Sequence, residues 1–224
     1  MGPKIKVVTG FVPIVGHPRT AAEYGALWEK LGELTDEFSV HPFYQKIEDC
    51  WLQKYITGKQ LSPMWSVGDN PSKNTLKYQI ATHQKFAWLA QALALDATPD
   101  TFVWLDYGIH HVPGVTTDVI KDFLKRIKTD DFAIPGCWSL DDPRVGSVGD
   151  MYPNWRVCGG VMAVPRQHVI PFFAAIKRQV RTHLDFTNTI SWDVNNVARV
   201  EAGGMLPIRW YSADHNSSMW ENYK

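Results

Sequence analysis

The sequence predicts an α/β protein in which helices flank a mostly parallel central sheet. Strand-like and helix-like patterns alternate through the first 130 residues, and this alternation is typical of a parallel sheet. Thr101–Leu105 is a short, continuous apolar run, as expected for a strand that is buried on both faces. With 224 residues the chain can form one large hydrophobic core, so we expect a single domain over 1–224.

The first half of the chain opens with a strand, a helix and a second strand. Residues 4–12 are rich in β-branched side chains and end in turn residues, which predicts a strand. Thr20 and Glu23 form a capping box, after which apolar residues recur every three or four positions, so a helix is expected to begin there. Residues 38–44 predict a second strand, which Pro42 places near an edge of the sheet.

A polar loop and a long helix precede the buried strand. Ser, Pro, Gly and Asn are frequent in residues 60–74, which predicts a loop, and a helix is expected over 75–95. After Thr101–Leu105, Thr117 is expected to cap the next helix, because an apolar face with helical spacing follows it. Further strands are predicted at 132–138, 157–164 and 205–211, and further helices at 168–181 and 190–202.

The charge balance argues against several classes of partner. Lys and Arg together number 23, as do Asp and Glu, so the net charge is zero and indicates no general attraction to nucleic acid or to anionic membranes. A nucleic-acid partner remains chemically allowed, but the net charge does not indicate it. No apolar run reaches the ~18 residues that a membrane span requires, and we recognise no secretory signal. We therefore expect no membrane span.

The cysteine and aromatic contents point to a cytoplasmic protein with a binding site. Cys50, Cys137 and Cys158 show no Cys-x-x-Cys spacing, which argues against a disulfide framework or a zinc cage. Buried free thiols in a reducing cytosol are the simpler interpretation. The chain also contains ten Trp, eight Tyr and ten Phe. Some of these rings should fill the core, and others should line a site, because sugar and base faces stack on aromatic rings.

Asp106 is the sharpest candidate for chemistry. Ligands of open α/β sheets bind beyond the carboxyl ends of the strands, and Asp106 directly follows the buried strand. Tyr107 and Gly108 then begin a loop. A carboxylate in this position suits a divalent metal that binds phosphate oxygens, although it could equally cap a turn. His110 and His111 lie close by and would offer a metal site together with Asp106, or serve as one exposed and one hydrogen-bonded histidine.

Three later segments are also candidates. Gly159 and Gly160 would let a ligand lie against the backbone, or would form a bulge. Asp193 and Asn196 would share a helix face, where Asp193 could instead only favour the helix dipole. The tail after the last strand holds His215 and an apolar end that is costly to leave in water, so it could fold back as a lid rather than stay disordered.

In their order along the chain, these motifs resemble the nucleotide-sugar-dependent glycosyltransferases of the GT-A fold. The similarity is greatest to retaining enzymes such as glycogenin and the bacterial lipopolysaccharide galactosyltransferases. The family's Asp-x-Asp motif is similar to Asp106–Gly108, its Asn-x-Gly-Val strand to Cys158–Val161, and its Asp-Gln-Asp-x-x-Asn helix start to Ser191–Asn196. The family's His-x-x-Gly-x-x-Lys-Pro-Trp tail is echoed by His215–Trp220.

The resemblance implies a Rossmann-like sheet and a division of labour between two halves of one domain. Residues 1–108 would form the nucleotide-binding half, and residues 109–224 the acceptor and catalytic half. The implied reaction transfers a hexosyl or pentosyl group, with retention, from a nucleoside diphosphate sugar to a glycan or a modified nucleic-acid base. A non-catalytic nucleotide-sugar-binding module and a metal-dependent phosphoester hydrolase are the alternatives.

The resemblance also assigns roles to individual residues. Asp193 would be the catalytic carboxylate, and Asp106 and His215 would hold Mn²⁺ or Mg²⁺. The donor would contact Tyr107, Gly108, Gly159, Gly160 and Trp220, and the acceptor would contact Asp142, Trp192 and Asn196. Independently of the resemblance, Lys85 on the helix before Asp106 would either point at the diphosphate of the donor or lie on a solvated face. Gly108 stands where the motif has its second Asp, so one metal carboxylate is missing.

Overall fold

The computed structural model describes residues 4–16, 21–61, 72–147 and 152–224. In chain order the strands and helices are β1 (Ile5–Phe11), α1 (Ala21–Gly32), β2 (Ser39–Tyr44), β3 (Gln60–Leu61), α2 (Leu76–Leu95), β4 (Thr101–Leu105), α3 (Thr117–Arg126), β5 (Phe132–Gly136), α4 (Pro143–Ser147), β6 (Val161–Pro165), α5 (Arg166–Thr187), β7 (Thr189–Ile190), α6 (Asp193–Ala202), β8 (Ile208–Ser212) and α7 (Ser218–Glu221). None of the described helices combines the length and the apolar character that crossing a membrane would require.

Within the described residues, six strands form one sheet in the order β2-β1-β4-β6-β5-β8. Neighbouring strands are parallel except that β6 runs antiparallel to both β4 and β5, so the predicted mostly parallel α/β sheet is confirmed. Leu105 at the end of β4 pairs with Val161 at the start of β6, and Gly136 at the end of β5 pairs with Ser212 at the end of β8. These four residues mark one end of the sheet, called here the carboxyl end.

Helices cover both faces of this sheet. Successive residues of a strand point to opposite sides, so each strand contributes side chains to both layers of packing. Phe102 and Trp104 of β4 pack with residues of α2, α5 and α6 on one face. Val103 and Leu105 of the same strand pack with residues of α1, α3 and α7 on the other. All five residues of β4 are buried, which is the expected consequence of an apolar strand at the centre of a three-layer arrangement.

Most element predictions are confirmed, with small shifts at the ends. The helix α2 begins after Thr75, whose hydroxyl accepts a hydrogen bond from the Tyr78 amide at 3.1 Å. The cap of α3 is Thr116 rather than Thr117, because the Thr116 hydroxyl accepts the Val119 amide at 3.3 Å. The capping residue expected before α1, Thr20, lies outside the described residues, as does the part 62–71 of the expected loop.

The strand prediction for 157–164 is wrong at its beginning. The strand β6 starts at Val161, and the four preceding residues turn across the carboxyl end of the sheet. The Cys158 amide donates to the Pro135 carbonyl at 2.7 Å, and the Gly160 carbonyl accepts the Asp106 amide at 3.0 Å. These bonds join the segment before β6 to the ends of β5 and β4, and they determine where the glycines lie.

The carboxyl-terminal tail is packed against α3. Trp220 and Tyr223 have no exposed surface, and the guanidinium of Arg126 donates to the carbonyl oxygens of both. The Tyr211 hydroxyl at the end of β8 donates to the Met219 carbonyl at 2.5 Å. The tail therefore folds back as expected, and its anchoring sets the position of the polar residues between β8 and α7.

Candidate active site

Polar side chains collect at the carboxyl end of the sheet, where Asp106 follows β4. The Asp106 backbone amide donates a hydrogen bond to the Gly160 carbonyl. Oδ1 of the Asp106 side chain accepts a hydrogen bond from the Trp104 indole at 2.7 Å. The Asp106 side chain is still 42% exposed. The hydrogen bond from Trp104 therefore fixes the orientation of the Asp106 carboxylate, and its exposed part remains open to a ligand.

Lys85 of α2 links the two candidate carboxylates. Its ammonium lies 2.7 Å from Oδ2 of Asp193 and 3.9 Å from Oδ1 of Asp106. It also donates to the Gly159 carbonyl at 2.9 Å and lies 5.8 Å from the centre of the Trp104 ring. The Lys85 side chain is only 6% exposed, so its charge is held in place by these partners rather than by water.

Burial and charge act in opposite directions on this pair. Burial raises the pKa of Asp193, but the Lys85 ammonium more than offsets this effect, and the pKa lies below its ordinary value. Burial lowers the pKa of Lys85, but the carboxylates of Asp193 and Asp106 outweigh it, and the pKa is raised. Both groups are therefore charged at neutral pH, which provides a buried anion beside the open Asp106 carboxylate.

His83 of α2 and Asn196 of α6 form a buried polar pair close to Asp193. His83 is fully buried, and burial lowers its pKa, so the ring is neutral. Its Nδ1 lies 2.6 Å from the Gln79 carbonyl, and its Nε2 lies 3.0 Å from the Asn196 amide nitrogen. Asn196 is 1% exposed. The expectation that Asn196 contacts an acceptor is thus not supported by its position, which lies behind Asp193 on α6.

At the two glycines before β6, neighbouring side chains lie too close to the backbone to leave room for a Cβ atom. A Cβ on Gly159 would lie 2.9 Å from Val194, 3.1 Å from the Lys85 ammonium and 3.4 Å from Asp193 Oδ2. A Cβ on Gly160 would lie 2.9 Å from the side chain of Ile109. Larger side chains are excluded because the Gly159 backbone packs against Lys85 and Val194, and the Gly160 backbone packs against Ile109.

We expect Gly159→Ala to lower the free energy of unfolding by about 1–3 kcal/mol, the usual cost of overpacking. The added methyl group would displace Lys85 or Val194. Gly25→Ala is the matched control, because a Cβ on Gly25 meets nothing within 4 Å and alanine favours the helix α1. Urea unfolding of both variants provides the measurement. Equal stability of Gly159→Ala and the wild type would contradict the close packing.

Aromatic rings gather where β1, β2 and β4 end. Tyr107 stacks on Trp28, with ring centres 5.4 Å apart and planes 7° apart. Phe11 lies 5.3 Å from Tyr107, 4.7 Å from Tyr24 and 5.9 Å from Tyr44. Tyr44 is 73% exposed, so this group offers an open aromatic surface beside Asp106.

His215 lies on the other side of the carboxyl end, after β8. Its Nδ1 is 3.4 Å from the Cys137 sulfur, and its ring contacts the edge of Trp155 at a centre-to-centre distance of 4.2 Å. Hydrogen bonding to Cys158 and to His215 lowers the pKa of Cys137 to about 6, whereas the bond to Cys137 and burial raise that of Cys158. The sequence did not indicate this grouping of thiols.

The remaining predicted residues lie at different depths. Trp220 is fully buried in the core that anchors the tail, so its position does not support a direct donor contact. Trp192 is half-buried and packs edge-on against Tyr78 at 6.2 Å. Asp142 is bound by Arg144 through two side-chain hydrogen bonds of 2.9 and 2.6 Å, and these lower its pKa to about 2.

The two histidines near Asp106 contact residues close to them in the chain. His111 Nδ1 contacts the Gly108 carbonyl, and His110 Nε2 lies 3.4 Å from the Thr117 hydroxyl. Among the described residues, the one group of three side chains whose ligand atoms are close enough for a metal is Cys137, Cys158 and His215. A site built from Asp106, His110 and His111 is therefore not formed.

Comparisons with known proteins address the fold. No protein-family model matches the chain, and no curated protein matches it. Among solved structures, the chain is similar to a glycosyltransferase involved in the glycosylation of the major capsid of PBCV-1, with a TM-score of 0.51 and 14% identity over 95% of this chain and 82% of that chain. The fold is GT-A-like. A mutant of LgtC also matches over 92% of this chain and 72% of that chain, with 10% identity and a TM-score of 0.46.

Within this GT-A-like fold, sequence reasoning missed the partnership of Lys85 with Asp193. The available signal was a set of polar residues in the apolar helix α2. Gln79, His83, Gln84 and Lys85 are all at most 4% exposed, although such side chains usually lie at the surface. Polar residues inside a buried helix indicate partners elsewhere, but the sequence did not show that those partners are on α6 and before β6.

Proposed function

We propose that the protein transfers a sugar from a nucleoside diphosphate sugar to an acceptor. One observation carries the proposal: the open carboxylate of Asp106 and the buried, ionised carboxylate of Asp193 are joined by a single buried lysine at the carboxyl end of the sheet. One carboxylate suits the leaving diphosphate with its cation, and the other suits the positive charge that develops at the sugar. The GT-A-like fold supports the same assignment.

In this proposal the base and the diphosphate of the donor contact different groups of residues around Asp106. In the proposal the base lies on the aromatic surface formed by Phe11, Tyr44 and Tyr107, because bases stack on rings. The diphosphate is proposed to pass over the partly exposed backbone of Gly159 and Gly160 rather than over Gly108, which is buried. Lys85 contributes charge from beneath and positions Asp193, rather than reaching the diphosphate directly.

A divalent cation, Mn²⁺ or Mg²⁺, fits the residues in part. Asp106 offers one exposed carboxylate, and His215 is proposed as a second ligand through Nε2, because its Nδ1 faces Cys137. Magnesium-type sites commonly use one or two carboxylates and take their other ligands from substrate phosphates and water. When bound, the cation would neutralise charge on the leaving diphosphate.

Asp193 is proposed to act at the anomeric carbon. Lys85 keeps it ionised and oriented, so it presents a negative charge where positive charge develops. It would act either as a nucleophile in a double displacement or as the anion that stabilises an oxocarbenium-like state. Both routes retain configuration, in agreement with the retaining enzymes that the sequence resembles.

The acceptor is proposed to approach from the side of Trp192 and Asp142. Trp192 directly precedes Asp193, and its ring is half-buried, as is typical of a sugar-stacking platform. Glycan is the favoured acceptor class. The basic side chains of Lys177, Arg178 and Arg181 line a groove on α5, but Lys177 and Arg181 lie over Phe173 and Tyr55, which accounts for them without a nucleic acid.

The test is a thermal-shift screen of nucleoside diphosphate sugars with and without Mn²⁺. A donor at about 100 times its dissociation constant should stabilise the wild type by ~2.7 kcal/mol. In Asp106→Asn we expect at least a tenfold weaker donor affinity, which reduces the stabilisation to about 1.4 kcal/mol or less at the same concentration. The melting temperature without donor should stay near that of the wild type, because the amide oxygen still accepts the Trp104 bond.

Asp185→Asn is the control for this experiment, since Asp185 is exposed on α5. It should respond to donor and Mn²⁺ as the wild type does. If no nucleoside diphosphate sugar shifts the wild type, or if Asp106→Asn responds fully, the donor site is elsewhere and the proposal fails.

A further inference from the structure

Two cysteines and one histidine from distant parts of the chain meet at the carboxyl end of the sheet. Cys137 directly follows β5, Cys158 lies in the turn before β6, and His215 follows β8. The sulfurs of Cys137 and Cys158 are 3.6 Å apart, and the Cys137 sulfur is 3.4 Å from His215 Nδ1. All three potential ligand atoms lie within 4.8 Å of one another.

We propose that Cys137, Cys158 and His215 bind a zinc ion. In a tetrahedral site, Zn–S bonds of about 2.3 Å and Zn–N bonds of about 2.0–2.1 Å place two sulfurs about 3.8 Å apart and a sulfur and a nitrogen about 3.6 Å apart. The observed separations of 3.6 and 3.4 Å are close to both values. Two of the three separations between ligand atoms thus already match this metal, and the third, between the Cys158 sulfur and the His215 ring, is within 4.8 Å.

Two thiols and one imidazole favour a soft cation over the Mn²⁺ or Mg²⁺ that is proposed to bind with the sugar donor. Thiolate and imidazole ligands suit zinc, whereas magnesium and manganese prefer carboxylate and water oxygens. Zinc would bind both sulfurs as thiolates, and any proton that either sulfur still carries would be released to solvent on binding. Cys50 is buried in the core on the other face of the sheet, and within the described part of the chain it belongs to no comparable group of metal ligands.

The site is open on one side. The His215 side chain is 42% exposed, which gives the ion a path from solvent and leaves the fourth position to water or a substrate atom. Asp214 lies beside this position, with its Oδ1 3.6 Å from the Cys137 sulfur and its side chain 75% exposed. Three protein ligands with an open fourth position are typical of zinc sites that bind an exchangeable ligand.

Zinc and the cation of the donor site would compete for His215. Zinc on Nδ1 leaves Nε2 protonated and unable to bind a second cation, so the two uses of this imidazole exclude each other. The zinc site does not depend on sugar transfer, and its test uses protein without any donor. A failure of one proposal therefore remains distinguishable from a failure of the other.

The experiment adds Co²⁺ to metal-free protein that has been kept reduced and shown by titration to contain all three thiols. We expect one Co²⁺ per chain with a thiolate-to-cobalt charge-transfer absorption, its loss on addition of one equivalent of Zn²⁺, and a higher melting temperature with zinc. Cys137→Ser should lose the absorption, as should His215→Ala. Cys50→Ser is the matched control and should retain it.

Three results would overturn the zinc site. The first is the absence of charge-transfer absorption from fully reduced wild-type protein. The second is unchanged metal affinity in both Cys137→Ser and His215→Ala, each of which changes a side chain that is not fully buried and should therefore fold. The third is an equal loss of absorption in Cys50→Ser that is still folded, which would assign the signal to the thiols in general rather than to these ligands.

Discussion

Asp193→Asn is expected to lower sugar transfer at least ~100-fold, the scale of lost electrostatic stabilisation, while donor affinity changes only a few-fold. An anion at the anomeric centre acts mainly in the transition state, so its loss affects turnover more than binding. Asparagine keeps the size of the side chain and an oxygen that can accept from Lys85. The measurements are single-turnover transfer and donor affinity by calorimetry.

This variant also requires a stability measurement, because Asp193 is part of a buried ion pair. Removing one partner of such a pair costs about 3–5 kcal/mol in general. We expect a value near the lower end, since Lys85 keeps Asp106 and the Gly159 carbonyl as partners. Activity must therefore be compared at a temperature where both proteins are folded. Asp185→Asn is the control for the change of a carboxylate to an amide.

Two outcomes separate the candidate functions. Transfer at the wild-type rate in folded Asp193→Asn would show that Asp193 is not catalytic and only begins the helix α6. Donor binding without any transfer by the wild-type protein, tested with several glycan acceptors, would favour the non-catalytic binding module.

Lys85→Met is expected to reduce the free energy of unfolding by about 3–5 kcal/mol at pH 7, because it leaves the buried Asp193 carboxylate without its cation. Methionine fills most of the space of the lysine side chain, so the loss reports charge rather than packing. Lys77→Met is the matched control, since Lys77 is exposed on the same helix. It should change stability by less than about 0.5 kcal/mol, as surface substitutions usually do.

The pH dependence of this effect has a defined sign. In the wild type the pKa of Asp193 is lowered by folding. Its contribution to the free energy of unfolding is therefore fully present above the unfolded-state pKa of about 3.9, and it is lost as the pH falls through the lower pKa of the folded state. The raised pKa of Lys85 means that its contribution is present below about 10.4 and is lost as the pH rises through the folded value. The wild-type pair is therefore fully stabilising between these limits.

In Lys85→Met, burial without a cation should raise the pKa of Asp193 above its unfolded value. Stability then increases as the pH falls, because protonation removes the buried charge. The difference in unfolding free energy between wild type and variant should thus narrow between pH 7 and pH 4.5. Urea unfolding at a series of pH values measures it. A constant or widening difference would mean that Lys85 does not compensate the charge of Asp193.

The double variant Lys85→Met with Asp193→Asn provides an independent measure of the coupling. If the pair interacts directly, the double variant should be more stable than the sum of the single losses predicts, by about 0.5–3 kcal/mol. Simple additivity would indicate that the 2.7 Å separation contributes no coupling energy.

Local patterns in the sequence were enough to predict the layers of this fold. The apolar run Thr101–Leu105 indicated a central strand, because only a strand covered on both faces can be apolar at every position. Helical spacing indicated α1 and α3, although the cap of α3 is Thr116 rather than Thr117. The end of the buried strand also pointed to Asp106, since ligands of such sheets bind beyond the strand ends.

The antiparallel direction of β6 was decided only in three dimensions. Reversing this one strand brings its first residue beside the end of β4, and so places Gly159 and Gly160 against Asp106 and Lys85. The sequence of the segment is compatible with a strand from Val157 onward. Hydrogen bonds to residues far away in the chain, which no local pattern encodes, start the strand four residues later.

Charge partners and the thiol cluster depended on tertiary structure for the same reason. The sequence determined that Asp193 begins a helix and that the cysteines lack a zinc-cage spacing. Only folding decided that Lys85, 108 positions before Asp193, neutralises it, and that Cys137 and Cys158 meet His215. Hydrophobic periodicity is a local property that a sequence displays directly, whereas ion pairs and metal ligands depend on distances between atoms that only the packed chain brings together.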